Sequence, residues 1–168
     1  MEDGHMRIVT TGGTFDKQYD AIAGELTFHS SQLPRLLQQA RCTLDVEVEA
    51  PVAVDSLVMT EEQRVLIAAS CLSSPQKYVV VIHGTDTMVQ TARVVAGTRT
   101  ADDRHVVVFT GAMIPYSLEG SDAAFNLGSA MTAAQTMAPG VYICMGGRIF
   151  TWDNCIKNKA KGIFETLH

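Results

Sequence analysis

Residues 78–88 read YVVVIHGTDTM, an unbroken apolar run that ends in a polar segment with one glycine. The run at 78–82 is rich in β-branched residues and has the length of a strand. A strand that is apolar at every position is typical of a parallel sheet with helices on both faces. We therefore predict a buried strand at 78–82, after which residues 83–87 open a helix that runs to about residue 96.

The same alternation of strand and helix extends in both directions along the chain. Further strands are predicted at residues 6–11, 43–48, 105–110 and 141–145, and further helices at 31–40, 60–73 and 122–137. Because crossovers between parallel strands are right-handed, the expected order of the five strands is 2-1-3-4-5. The predicted fold class is α/β, a three-layer sandwich with a mostly parallel, flavodoxin-like five-stranded sheet. The tail from residue 148 is predicted to add a small hairpin and a last short helix near Ile163.

The chain has the length of one domain. Its 168 residues, 46% of them hydrophobic, are enough to form a single buried core. We assign residues 6–168 to an α/β domain and expect residues 1–5 to be an N-terminal extension or a cloning remnant. The four cysteines lack the short paired spacing of a zinc site or a disulfide scaffold, so we expect reduced thiols.

Charge and hydropathy exclude two classes of partner. Thirteen basic residues against eighteen acidic ones give a net charge of −5, and no run of lysine or arginine precedes the C-terminal tail, so a nucleic-acid partner is not expected. No apolar run reaches the roughly 18 residues of a membrane span, and no membrane partner is expected. The acidic N-terminus has no export signal, which predicts a cytoplasmic location. A small polar molecule is therefore the expected ligand.

Two Gly-Thr turns follow the first and third predicted strands. In the order 2-1-3-4-5 these strands are neighbours, and ligands of open α/β sheets bind beyond the carboxyl ends of the strands at this point. We therefore expect Gly12-Gly13-Thr14 and Gly84-Thr85-Asp86 to face each other across one crevice. A dinucleotide site is not expected, because neither turn has the spacing of a glycine-rich phosphate loop.

These turns contain the groups that nucleophilic catalysis requires. A threonine hydroxyl is a poor nucleophile, so a catalytic role needs a proton acceptor and donors for an oxyanion. Asp86 adjoins Thr85, Tyr19 lies on the segment after Thr14, and backbone N–H groups after Gly13 and Gly84 can supply the donors. Residues 15–30 have little periodicity and are predicted to form a loop that acts as a lid. His83 is expected to be packed or hydrogen-bonded at the end of its strand.

Three ordered motifs resemble those of a known family. Thr11-Gly12-Gly13-Thr14, His83-Gly84-Thr85-Asp86-Thr87-Met88 and Thr110-Gly111-Ala112-Met113-x-Pro115 are similar to the signature segments of the bacterial-type asparaginase/glutaminase family. The resemblance covers the N-terminal α/β domain of that family, from about Arg7 to Lys157. In length the chain resembles the short-chain, single-domain L-asparaginases.

The resemblance implies a role for individual residues. Thr14 matches the nucleophile, and Tyr19 matches its activating neighbour. Thr85, Asp86 and a lysine match a second catalytic cluster; Lys157 fits the lysine best, with Lys159 and Lys161 as rivals. The substrate-binding residues that the resemblance implies are Gly13, Asp55, Ser56, Gly84, Thr85, Asp86 and Ala112, with Ser56 on the α-carboxylate of the substrate.

The implied activity is hydrolysis of L-asparagine to L-aspartate and ammonia through an ester on Thr14, with no metal or other cofactor. The family forms homo-oligomers, so a dimer or tetramer is expected. A lid carboxylate (Asp16, Asp20 or Glu25) or a second subunit is expected to help hold the α-amino group. Three alternatives remain: a glutaminase, an amidase that supplies ammonia to a partner, and an amino-acid sensor without turnover.

Overall fold

A computed structural model describes residues 4–168. Residues 1–3 of the expected N-terminal extension lie outside these residues, and His5 opens the first strand. The strands are β1 His5–Thr10, β2 Lys17–Asp20, β3 Glu25–Phe28, β4 Asp45–Glu49, β5 Tyr78–Ile82, β6 Val106–Thr110, β7 Gly140–Met145, β8 Arg148–Thr151, β9 Ile156–Asn158 and β10 Ile163–Glu165. The α-helices are α1 Leu33–Gln39, α2 Glu61–Leu72, α3 Met88–Thr98 and α4 Ala123–Thr136, and 3₁₀ turns form at Thr14–Asp16 and Ser56–Val58.

The central sheet has the predicted strand order with one additional strand. Its order is β4-β1-β5-β6-β7-β8, in which the first five strands are parallel. This confirms the order 2-1-3-4-5. The sheet has six strands and not five, because β8 turns back after Gly146 and Gly147 and pairs antiparallel with β7.

Helices cover both faces of the sheet, which confirms the three-layer sandwich. Side chains of α2 and α3 pack on one face against Val79 and Val81 of β5. Side chains of α1 and α4 pack on the other face against Val80 and Ile82. Both faces of β5 are therefore buried, which is why its sequence is apolar without alternation.

Three of the predicted elements need correction. The segment 15–30 is not a structureless loop: β2 and β3 pair in an antiparallel hairpin, hereafter the hairpin 17–28. Its turn is closed by Asp20, whose carboxylate accepts the amides of Ile22 and Ala23. No helix forms near Ile163. Instead, a turn that contains Gly162, at φ +64°, leads into the three-residue strand β10. This strand pairs with β9, and its residue Phe164 is buried.

The helix after β5 begins later than predicted, at Met88 rather than at His83. The amide of His83 still follows the sheet and donates to the carbonyl of Thr110 at 2.9 Å. The hydroxyl of Thr87 donates to the carbonyl of Ser56 at 2.9 Å. Residues 83–87 are therefore held as a turn between two loops, at the carboxyl edge of the sheet.

Candidate active site

The two Gly-Thr turns are in contact. A Cβ atom added to Gly13 would lie 2.6 Å from the backbone nitrogen of Gly84, and the φ of Gly13 is +80°. No other residue fits at position 13, because a side chain would collide with backbone and the conformation itself favours glycine. The contact follows from the pairing of β1 with β5, which brings their carboxyl ends together.

A third loop packs against the same point. A Cβ atom at Gly84 would lie 2.6 Å from both Cβ and Oγ of Ser56. Ser56 is buried and begins a 3₁₀ turn, which the carboxylate of Asp55 caps by accepting the amide of Leu57 at 3.0 Å. The loops that carry Gly13, Gly84 and Ser56 therefore meet at one place, as the predicted site requires.

Lys157 joins the second threonine to its aspartate. Its Nζ lies 2.7 Å from Oγ1 of Thr85 and 2.8 Å from Oδ1 of Asp86. The side chain of Lys157 is 13% exposed, so this ion pair is largely shielded from water. Of the rival lysines, Lys161 lies 3.7 Å from Glu165 on the small β9–β10 sheet. The structure therefore places Lys157 beside Thr85 and Asp86.

This cluster can move a proton. An ammonium group that donates to the oxygen of Thr85 leaves the hydroxyl proton of Thr85 directed elsewhere and makes it easier to remove. The carboxylate of Asp86 forms an ion pair with the same ammonium group at 2.8 Å and so fixes its position beside Thr85. The three side chains can thus assist proton transfer to or from a group that is bound beside Thr85.

Thr14 is positioned by its neighbours in the chain. It is the first residue of the 3₁₀ turn Thr14–Asp16, and Phe15 next to it is fully buried in the core. The carbonyl of Phe15 accepts the amide of Tyr116 at 3.1 Å. The Thr14 side chain is half-buried, and within residues 4–168 its hydroxyl has no hydrogen-bond partner. A rigid backbone therefore presents an uncommitted hydroxyl.

The structure does not bring Tyr19 into hydrogen-bond contact with Thr14. Tyr19 lies opposite Leu26 in the hairpin 17–28, and its side chain is 62% exposed. Its hydroxyl also has no hydrogen-bond partner in the described part of the chain. Contact between the two hydroxyls would require Tyr19 to change its position, by a rotation of its side chain or a movement of the part of the hairpin beyond Lys17.

Two of the lid carboxylates are engaged in local structure. Asp16 accepts hydrogen bonds from the Ser31 hydroxyl and the Gln32 amide at the start of α1, and its burial raises its pKa. Asp20 accepts two amides of its own turn, which lower its pKa. Neither is therefore free to hold a substrate ammonium group in this conformation. Glu25 is exposed, opposite Asp20.

Ala112 and the third motif are held by a buried asparagine. Asn126 of α4 donates to the carbonyl of Gly111 at 2.9 Å, and Asp122 accepts the amides of Met113 and Ile114. The Ala112 side chain is fully buried in the core. Its contribution to a site at this edge is therefore through its backbone.

The expectation that His83 is packed or hydrogen-bonded at the end of its strand is confirmed, but the buried network around it, under the turn 83–87, was not predicted from the sequence. His83 contacts the carbonyl of Gly84 through Nδ1 at 2.8 Å and the hydroxyl of Thr91 through Nε2 at 2.7 Å. Arg64, with only 5% of its side chain exposed, donates to the hydroxyls of Thr91 and Thr87. Since a carbonyl only accepts, Nδ1 carries the proton and Nε2 accepts from Thr91. The signal that could have revealed Arg64 is its place on the apolar face of α2, one turn before Ile67.

The network keeps His83 neutral, which predicts a pH-dependent stability. Burial, opposed by the hydrogen bond to Gly84, lowers the pKa of His83 from 6.5 to about 4. Between these values the unfolded chain binds a proton that the folded chain does not, so the free energy of unfolding falls as the pH falls from 6.5 to 4, by about 3 kcal/mol in all. Denaturant unfolding of His83→Gln should show a smaller dependence than the wild type. The exposed His29→Gln serves as the control, and equal dependence in all three proteins would contradict a buried, neutral His83.

Neither metal-binding clusters nor membrane-spanning helices are found in residues 4–168. No group of three or more His, Cys, Asp and Glu side chains is arranged there to hold a metal ion. None of the four α-helices of this part of the chain is long and apolar enough to cross a bilayer.

The fold is an open-sheet α/β protein with a candidate ligand site at the carboxyl edge, where two neighbouring strands end in touching turns. Residues 5–165 match the profile of the family described as Asparaginase, N-terminal. The chain belongs to this family.

Two curated relatives are similar to the chain. It is 27% identical over 164 residues to a subunit of the glutamyl-tRNA(Gln) amidotransferase from Methanococcus vannielii, which covers 95% of the chain and 37% of the relative. It is 28% identical over 127 residues to the L-asparaginase of Thermococcus kodakarensis, which covers 73% of the chain and 38% of the relative. The chain thus spans less than two fifths of the length of these relatives.

Solved structures agree on the fold. The thermostable L-asparaginase of Thermococcus kodakarensis superposes with a TM-score of 0.85 at 25% identity, covering 96% of this chain and 51% of that one. A probable cytoplasmic L-asparaginase from Campylobacter jejuni gives 0.78 at 27% identity, with 92% and 50% covered. L-asparaginase I from Vibrio cholerae gives 0.83 at 23% identity, with 97% and 51% covered, and supports the fold alone.

Proposed function

We propose that this chain hydrolyses L-asparagine to L-aspartate and ammonia. The observation that carries the proposal is the contact between the turn of Thr14 and the turn of Thr85, with Lys157 bound to both Thr85 and Asp86. One crevice then holds an uncommitted hydroxyl, a set of backbone amides and a proton-transfer cluster. These are the parts that acyl transfer through a hydroxyl nucleophile requires.

In the first step Oγ of Thr14 attacks the side-chain amide carbon of asparagine. Tyr19, carried by the hairpin 17–28, relays the hydroxyl proton to the amide nitrogen by accepting it and giving up its own, while N–H groups of the turns after Gly13 and Gly84 stabilise the oxyanion. The carbon–nitrogen bond breaks, and the nitrogen leaves as ammonia with that proton. Thr14 is left as an aspartyl ester.

In the second step water attacks the ester carbonyl and releases aspartate. Lys157, Thr85 and Asp86 assist the proton transfers on this side of the crevice, and the hydroxyl of Thr14 takes back a proton. The α-carboxylate of the substrate is held at Ser56, and its α-ammonium group at Asp86. Backbone groups near Ala112 complete the binding site. A homo-oligomer and a cytoplasmic location remain predictions.

A related amidase activity is the second candidate. The similarity to a subunit of an amidotransferase extends over 95% of the chain, so it favours an enzyme that acts on glutamine or delivers ammonia to a partner. One methylene separates glutamine from asparagine and is worth only about 1–3 kcal/mol in discrimination. The fold and the catalytic groups are the same for both candidates, and the pocket alone separates them.

Ammonia release from asparagine, from glutamine and from buffer alone tests the proposal. We expect turnover of asparagine with a kcat/KM about tenfold or more above that of glutamine, because the proposed anchors fix the α-groups at one distance from Thr14. Equal rates on both amides would favour the second candidate. Binding of asparagine without ammonia release would identify a sensor and overturn the proposed hydrolysis.

A further inference from the structure

The hairpin 17–28 is fixed to the rest of the molecule through its first residue. Nζ of Lys17 donates to Oδ2 of Asp55 at 2.8 Å, and the carbonyl of Lys17 accepts the Ser117 hydroxyl at 2.8 Å. The two charged side chains are 21% and 38% exposed, so the pair is partly shielded from water. Lys17 thus connects the hairpin both to the loop of Ser56 and to the loop after β6.

The carboxylate of Asp55 makes a second hydrogen bond, within its own loop. Oδ1 of Asp55 accepts the amide of Leu57, while Oδ2 accepts from Lys17. These two contacts, that from Lys17 first, hold the pKa of Asp55 below its ordinary value. Both oxygens of Asp55 therefore have protein partners, which argues against the direct substrate contact that the sequence predicted for it.

Lys17 and Tyr19 lie on the same face of the hairpin. Residues i and i+2 of a strand lie on the same face, so Lys17 and Tyr19 of β2 share one face of the hairpin. The bond from Lys17 to Asp55 attaches the base of this face to the loop of Ser56. On the other face, Gln18 donates to the carbonyl of Ser30 and closes the base of the hairpin.

We propose that Lys17 is a positioning residue, and that the Lys17–Asp55 pair is a latch that ties the base of the hairpin to the loop of Ser56 and so limits the positions that Tyr19 can take. Lys17 acts through Tyr19 and does not touch the substrate. The kinetic part of this inference rests on the proposed function. The structural part does not, since it concerns only the attachment of the hairpin.

Variants that swap the charges of Lys17 and Asp55 test the latch. Lys17→Glu, Asp55→Lys and the double variant are compared by hydrogen exchange of the hairpin amides and by kcat and KM for asparagine. We expect about tenfold faster hairpin exchange and about tenfold lower kcat in Lys17→Glu, with KM changed less. The double variant restores the ion pair but not the acceptor for the Leu57 amide, so it should recover most of the loss in hairpin exchange and only part of the loss in kcat. Asp55→Asn keeps an oxygen for the Leu57 amide. It should speed hairpin exchange about fivefold and lower kcat about fivefold.

The controls separate the latch from general stability. Asp45→Asn removes the exposed ion pair with His5 at the opposite end of β1 and should leave hairpin exchange and kcat unchanged. Melting temperatures identify any variant that has lost its fold. Unchanged hairpin exchange in both Lys17→Glu and Asp55→Asn would overturn the latch. If the wild type releases no ammonia, the exchange measurements still decide the latch while the proposed function fails.

Discussion

Thr14→Ala is expected to lower the rate of ammonia release from asparagine by about 10⁴-fold or more. The substitution removes the hydroxyl oxygen on which the proposed mechanism forms the ester, while Phe15 still anchors the turn in the core. Binding of asparagine should change little, because the proposed contacts of its α-groups are made by Ser56 and Asp86. Single-turnover ammonia release and calorimetric binding on the same sample measure the two quantities.

Two variants serve as controls for Thr14. Thr14→Ser keeps a hydroxyl at this position and should retain a measurable rate. Thr98→Ala removes an exposed hydroxyl that bonds only the carbonyl of Val94 within α3, and it should be indistinguishable from the wild type. Full activity of Thr14→Ala would show that another group is the nucleophile.

Lys157→Met is expected to lower kcat by about 10²–10⁴-fold. The variant keeps a side chain of similar length at a position that is 13% exposed, but it removes the ammonium group that binds Thr85 and Asp86. The carboxylate left behind is 32% exposed and can be hydrated, so stability should fall by no more than about 1 kcal/mol. The expected loss is therefore catalytic and not a loss of fold.

Lysines of the same tail provide matched controls for Lys157. Lys159→Met and Lys161→Met remove one charge each from the same part of the chain, and both are expected to retain the wild-type kcat. Steady-state kinetics and thermal unfolding of the three variants measure the contrast. A loss shared equally by all three would point to the net charge of the tail, and a loss confined to Lys159 or Lys161 would contradict the role given to Lys157.

The sheet could be predicted from the sequence because a strand that is buried on both faces is an unbroken apolar run. Every residue of 79–82 is buried, and the handedness of the crossovers then limits the strand order to few possibilities. That order alone predicts that Gly13 and Gly84 are neighbours across 71 positions. Tight contact at both glycines explains why the motifs contain them and why a local pattern carried information about a distant contact.

Elements that depend on tertiary contacts have weaker patterns in the sequence. No residue in the two strands of the hairpin 17–28 is buried, so their sequence has little apolar alternation to reveal them. The three-residue strand β10 exists only because it pairs with β9 and buries Phe164. Arg64 is a buried cation whose partners are mainly neutral oxygens of α3 and its N-terminal turn, a set that is assembled only when α2 packs beside α3.

The central claim, that Thr14 carries the substrate as an ester, can be tested by trapping that ester. The wild type and Lys157→Met are mixed with asparagine, quenched in acid within a turnover, digested and examined by mass spectrometry, with Thr14→Ala as the control. We predict a peptide that contains Thr14 and is heavier by one aspartyl group, absent from the control. The same added mass on Thr85, with Thr14 unmodified, would contradict the account.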